Sequence, residues 1–340
     1  MKKISVSTSI FLSAFFAIFL SVTVFAASQP LLSITGAVKQ PLNLTVEDIN
    51  SFQSIRVQLN DVTKDGEFKG VFYCQGVPLK TLLEFSSIDK GKTDFSKSVD
   101  LAILIRNNEG RQVVLSWGEV FYRNPGEIVL ATSAYPIMPH KDCSACHSAD
   151  VYEPWLGQLK RSVGFPRLVM AGDIYAERSI EEVTGIEVVD LKPKITGNKS
   201  YKLFSSGFAV TGAVEKPLII KNISGYPQKE IHVKVIGEGK GYHGTKRFKG
   251  TPLLRLFEEA KIDADLNTAF LVSAPDGYRS LLSYGELLFS PAGERIIVAD
   301  SVDGQPIKKG GIFCLILPDD LMADRWIKAV NKIEIISFKK

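Results

Sequence analysis

The chain is internally duplicated, and a duplication constrains a fold more than any local pattern, because both copies must follow one order of strands and helices. Thr35-Gly36-Ala37-Val38 with Pro41-Leu42 recurs 176 residues later as Thr211-Gly212-Ala213-Val214 with Pro217-Leu218. Gly70, Gly76, Pro78 and Leu79 recur as Gly244, Gly250, Pro252 and Leu253 at an offset of 174. Ser116, Gly118 and Glu119 recur as Ser283, Gly285 and Glu286 at 167. Arg178, Ile180, Val183, Ile186 and Glu187 recur as Arg325, Ile327, Val330, Ile333 and Glu334 at 147. The offset falls by 20 between Glu119 and Arg178, so the first copy carries an insertion of that size, placed within 135–161. The expected organisation is a first domain over 31–190, a linker over 191–205 and a second domain over 206–340.

Ahead of the repeat, Lys2 and Lys3 precede an uncharged, mostly apolar run over 10–26 that ends in Val24-Phe25-Ala26, small at the two positions signal peptidase reads. Ser13, Ser21 and Thr23 interrupt it before it reaches the ~20 apolar residues of a spanning helix. Residues 1–26 are therefore expected to be a cleaved signal peptide, which makes the chain periplasmic or secreted. No Arg-Arg pair precedes the apolar run, so export is expected to pass the chain unfolded. With 41 Lys and Arg against 37 Asp and Glu, the charge is balanced and gives no reason to expect nucleic acid or a membrane surface as partner.

Short β-branched runs bounded by Gly, Asn, Asp or Pro predict strands over 101–106, 112–115, 127–130 and 185–189. In the second copy they fall at 231–236, 269–273, 295–298, 312–317 and 332–336. Segments 79–85 and 253–260 follow a Gly-x-Pro and carry helical spacing, so each predicts a short helix. The expected class is α+β, with mixed sheets and short helices. Gly-Val-Pro-Leu at 76–79, Phe-Pro-Arg-Leu-Val at 165–169 and the endings 173–188 and 320–335 together resemble the molybdopterin-binding domain of the sulfite oxidase superfamily. The resemblance spans both halves and implies two tandem copies of that fold. It also implies a molybdenum-ligating cysteine in a loop before the Gly-x-Pro-Leu helix. The corresponding stretches, 59–65 and 237–241, contain none. Cys74 stands too close to Gly76 and matches Phe248, and Cys314 lies in an apolar run, so both read as buried. A disulfide between them would have to cross between the copies. In the resembled family molybdopterin is inserted before export of a folded chain, so the leader too argues against molybdopterin here.

Cys143-Ser144-Ala145-Cys146-His147 is the sharpest chemical signal. Two thiols at this spacing add to the two vinyl groups of one haem, and the adjoining imidazole can take the iron. A disulfide of Cys143 with Cys146, or half a zinc site, is the competing reading. The context lacks the βαβ setting of a redox dithiol, and there is no second Cys-x-x-Cys. One covalent haem c is expected, with Cys143 and Cys146 as thioether anchors and His147 as proximal iron ligand. Met138 and His140 are the candidate distal ligands; Met170, His232, His243 and Met322 are further possibilities. Of these, Met170 and Met322 read as packing residues and His232 as structural.

Glu119, Glu286, Arg178 and Arg325 occur in both copies although only one copy bears the haem motif, so they read as salt bridges or helix caps of the fold. The basic stretch 240–249 reads as a solvated loop, with docking of an acidic redox partner protein as its functional alternative. The function expected from all this is one-electron transfer by an exported monohaem c-type cytochrome. The alternatives are a molybdenum-dependent dehydrogenase with an in-chain haem relay, and a haem-based sensor.

Overall fold

The protein is described by a computed structural model that covers residue 29 and residues 31–137, 162–192, 203–237, 241–308 and 310–339. The first half contains β1 (Leu32–Gly36), β2 (Leu42–Leu44), helix α1 (Val46–Ser51), β3 (Ile55–Val62), β4 (Phe68–Pro78) and helix α2 (Leu79–Ser86). It continues through β5 (Leu101–Asn107), β6 (Gln112–Ser116), helix α3 (Trp117–Phe121), β7 (Ile128–Pro136), β8 (Arg167–Met170) and β9 (Val183–Asp190). The second half contains β10 (Phe208–Gly212), β11 (Leu218–Ile220), β12 (Lys229–Gly237), β13 (Gly241–Pro252), β14 (Thr268–Ser273) and β15 (Arg279–Ser283). It ends with helix α4 (Tyr284–Leu288), β16 (Ile297–Val302), β17 (Gln305–Pro306), β18 (Cys314–Ile316), β19 (Ile327–Lys328) and β20 (Lys332–Ser337).

The strands form four small sheets, two from each half, and matching sheets repeat the same order. The order β2-β1-β9-β5-β6 in the first half becomes β11-β10-β20-β14-β15 in the second. Likewise β3-β4-β7-β8 becomes β12-β13-β16-β18, extended by β19, with β17 on β16. In each half the first strand pairs parallel to the last, Ile34 opposite Ile186 and Val210 opposite Ile333, so each half is closed by its own ends.

The repeated glycines have a steric cause. A Cβ on Gly76 would lie 2.1 Å from the Leu130 carbonyl oxygen, and one on Gly250 would lie 2.1 Å from that of Val298. Only glycine lets β4 and β13 approach β7 and β16 this closely.

Each half buries one apolar cluster between its two sheets, including Ile34, Leu83, Ile103 and Leu130 in the first and Val210, Phe257, Phe270 and Val298 in the second. A further cluster lies between the halves, where Ala102, Leu104 and Val114 meet Ala269, Leu271 and Leu281. The sheets holding β5 and β14 are thus covered on both faces, which is why those strands read as continuous apolar runs without alternation. Backbone bonds also cross: Val114 N–H donates to Leu266 (2.8 Å), Ile174 N–H to Phe289 (2.8 Å) and Leu321 N–H to Tyr122 (2.7 Å).

These observations correct the expected fold class. Among the described residues the chain is mostly β, 45% strand and 16% helix, in a propeller-like arrangement of four small sheets, and is not an α+β pair of sulfite-oxidase-like domains. Among the described residues the α-helices are five to eight residues long. The helix expected over 253–260 is a single 3-10 turn, Leu253–Leu256. Two stretches read as loops are strand. Residues 59–62 complete β3, where buried Asp61 occupies an inward position and so hides the alternation. Most of the basic stretch 240–249 lies in β13, which is exposed on both faces over much of its length and is ordered by its pairing with β12. Among the described residues no helix is long and apolar enough to cross a membrane.

Candidate functional site

Met138, His140, Cys143, Cys146 and His147 all lie outside the described residues. The framework on either side of them is defined. Leaving β7, Ile137 N–H donates to the Val71 carbonyl at 2.8 Å. On the return, Gly164 N–H donates to the Glu181 carboxylate at 2.9 Å, and β8 then pairs antiparallel with β7, Ala131 opposite Arg167. The numbering offset between the halves is 168 at Leu130 and Val298 and 147 at Leu168 and Leu315. The surplus residues of the first half therefore sit in one connection, between two neighbouring strands.

The other sulfur and imidazole groups are placed as follows. Met170 is buried in the core of the first half, and Met322 is half-buried just before a 3-10 turn. His232 is not structural as expected: its side chain is 69% exposed, on the outer face of β12. His243 is exposed on β13. Cys74 and Cys314 are free thiols. Cys74 is fully enclosed by neighbours that include Leu59, Phe72 and Val169, and burial pushes its thiol pKa up, so it is not presented as a metal ligand.

The repeated polar residues meet at the junction of the halves. Ser116 and Ser283 cap α3 and α4, each accepting from the N–H of the glutamate three residues on, Glu119 and Glu286, while each glutamate accepts from the serine N–H. Each serine hydroxyl then donates across the junction, Ser116 to Glu286 (2.8 Å) and Ser283 to Glu119 (2.7 Å). Arg178 bridges Glu119 (2.6 Å) and Asp173 (2.7 Å), and Arg325 bridges Glu286 (3.1 Å) and Asp320 (2.7 Å). The recurring glutamates and arginines are thus both caps and salt bridges, as their presence in both halves implied.

One residue breaks the symmetry. Arg123 of the first half reaches Glu286 at 3.3 Å, while its counterpart Ser290 accepts a hydrogen bond from it at 2.8 Å. Burial works against the charge of Glu286, but Arg325 and then Arg123 outweigh it and hold its pKa below the usual carboxylate value. For Glu119, burial raises the pKa; Arg178 opposes this and the nearby Glu286 reinforces it.

Glu119 therefore binds its proton more tightly folded than unfolded. Its stabilising contribution is full below the unfolded value of 4.5 and is lost as pH rises from there through the folded value. Wild type should lose stability relative to Glu119→Gln, by up to ~1.4 kcal/mol per pH unit in that window. Denaturant titrations of both proteins from pH 4 upward check this; a difference that stays flat or grows would contradict the assignment.

Two clefts lie at matching places in the halves. The one in the first half measures about 260 Å³ and includes Asp61, Arg167, Ser179 and Glu181. That in the second half measures about 720 Å³ and holds at the equivalent positions Val235, Cys314, Trp326 and Lys328. In the smaller cleft Arg167 donates to Asp61 at 2.7 Å, and both are buried.

No family model and no curated protein matches the sequence. Among solved structures, the chain is similar to one in the crystal structure of the sulfane dehydrogenase SoxCD from Paracoccus pantotrophus, with 12% sequence identity and a TM-score of 0.32. The match covers 74% of this chain and 61% of that one, so this chain spans about three fifths of its length.

Proposed function

We propose that this chain is an exported c-type cytochrome that carries one haem and transfers single electrons. The observation that carries the reading is the Cys143-x-x-Cys146-His147 pentad, which falls inside the one long connection by which the first half exceeds the second. Two thiols and an adjoining imidazole are the donor set that covalent haem requires, and the described chain on either side of the connection is hydrogen-bonded, Ile137 to β4 and Gly164 to Glu181. Haem bound there would supply a one-electron couple. Cys143 and Cys146 would tether it, His147 would take the proximal side of the iron, and Met138 or His140 the distal side. A methionine at the distal position would give a higher potential than a histidine. The partner would be a redox protein meeting a small surface, as transient electron-transfer encounters do.

The chain's own contribution would be to anchor the segment on a sheet whose strand β7 is paired on both sides. β7 lies between β4 and β8, with Leu130 and Ala131 fully buried, so the segment starts and ends on backbone already fixed by pairing. The protein purified from an exporting host should be coloured, give a c-type pyridine haemochrome, and keep its haem through acid-acetone extraction. Replacing Cys143 and Cys146 by Ser should leave an apoprotein with no covalent haem. A colourless mature chain whose two thiols titrate as free, or as a disulfide, would refute the reading.

A further inference from the structure

The cleft of the second half departs from its counterpart in a consistent chemical direction. Strand registers place Asp61 with Val235 and Arg167 with Cys314, and the repeat offset of 147 that matches Arg178 with Arg325 places Ser179 with Trp326 and Glu181 with Lys328. The buried charges Asp61 and Arg167 are replaced by uncharged side chains, Ser179 by an aromatic ring and the acidic Glu181 by a lysine, and the second-half cleft measures about 720 Å³ against about 260 Å³ in the first. In the first half, the buried Arg167–Asp61 pair occupies the floor. In the second half the floor is apolar, and Phe248 meets Trp326 edge to face at 5.5 Å between ring centroids. Apolar walls around a volume of 300–1,000 Å³ are typical of sites for small organic ligands.

The rim supplies the sign of charge. Lys246, Lys308 and Lys328 line the opening and are exposed, and none forms an ion pair with a described residue. The two acidic residues of the lining are already engaged. Asp324 accepts from the Tyr122 hydroxyl at 2.9 Å and pairs with Lys97 at 3.4 Å, and Asp276 accepts from the Tyr278 N–H at 3.0 Å. An aromatic floor with unpaired lysines around it suits a flat apolar molecule bearing one anionic group.

We infer that the second-half cleft binds an aromatic organic anion, a carboxylate or sulfonate, with its rings on Phe248 and Trp326 and its charge among Lys246, Lys308 and Lys328. The first-half cleft is the same site closed by an internal ion pair. This inference does not depend on the haem. Two probes that differ only in the charge, 8-anilinonaphthalene-1-sulfonate and N-phenyl-1-naphthylamine, test it by equilibrium dialysis against the full-length mature protein.

The sulfonate should bind at one site per chain, about tenfold or more tighter than the neutral amine, a difference of about 1.4 kcal/mol. Val235→Asp with Cys314→Arg installs the first-half pair and should lower sulfonate affinity at least tenfold. Lys246→Glu with Lys328→Glu changes only exposed side chains, and should abolish the preference for the sulfonate while leaving the amine unaffected. Equal binding of the two probes, or full sulfonate affinity in the lysine variant, would overturn the inference even if the buried double variant failed to fold.

Discussion

Arg325→Ala should lower the free energy of unfolding by about 3–5 kcal/mol, the cost of removing one partner from a buried ion pair. Arg325 is fully buried and donates to Asp320 through two nitrogens at 2.7 Å each, and to Glu286 at 3.1 Å. Its loss leaves two buried carboxylates facing one another's field with only Arg123 to offset them. The penalty is that of stranded charge, so Arg325→Ala combined with Asp320→Asn should recover part of it. Urea denaturation of the single and double variants measures both effects. Additive costs would show that the arginine acts by packing alone.

Gly118→Ala should cost about 1–3 kcal/mol, although it adds a single methyl group, because that methyl overpacks a site with no slack. A Cβ on Gly118 would lie 2.0 Å from Cδ of Arg325, and one on Gly285 would lie 2.3 Å from Cδ of Arg178. A flexible side chain would move aside. These two cannot, because their guanidinium groups are fixed at the far end by the carboxylates. The cost should therefore depend on Arg325: in an Arg325→Ala background, Gly118→Ala should cost less than half as much. An unchanged cost there would place the strain in the helix backbone instead.

The same residues show what a single sequence discloses. Ser116, Gly118, Glu119 and Arg178 were visible as a set because each recurs, and recurrence in both halves marked them as parts of the fold rather than of a reaction site. That the two sets face each other was not legible, since nothing in either copy says that Ser116 will donate to Glu286 rather than to its own glutamate. The apolar strands over 101–106 and 269–273 were visible from composition, but their continuous character was itself the sign of a second covered face.

The α+β expectation failed where side chains do not report on pairing. β13 reads GYHGTKRFKGTP, with Phe248 its one large buried apolar side chain, and it is a strand because β12 and β16 satisfy its backbone on both sides. The clefts were illegible for a related reason. They are built from four or more separate segments, and although the exchange of Asp61 for Val235 lies at the repeat offset of 174 and that of Arg167 for Cys314 at 147, nothing in the sequence brings the two positions to one cleft. The Cys-x-x-Cys-His pentad stands out in the sequence at once, since its five residues are contiguous and need no fold to bring them together.

The mirrored contacts between the halves make the chain its own permanent companion, and this changes what substitution can do to it. A symmetric homodimer must accept every change twice, once in each subunit. Here a change in one cleft, or the surplus residues of one connection, occurs once while the opposing face keeps the interlocking serines and glutamates intact. Fusion of two like units has in this way separated the duty of staying assembled from the freedom of either unit to specialise.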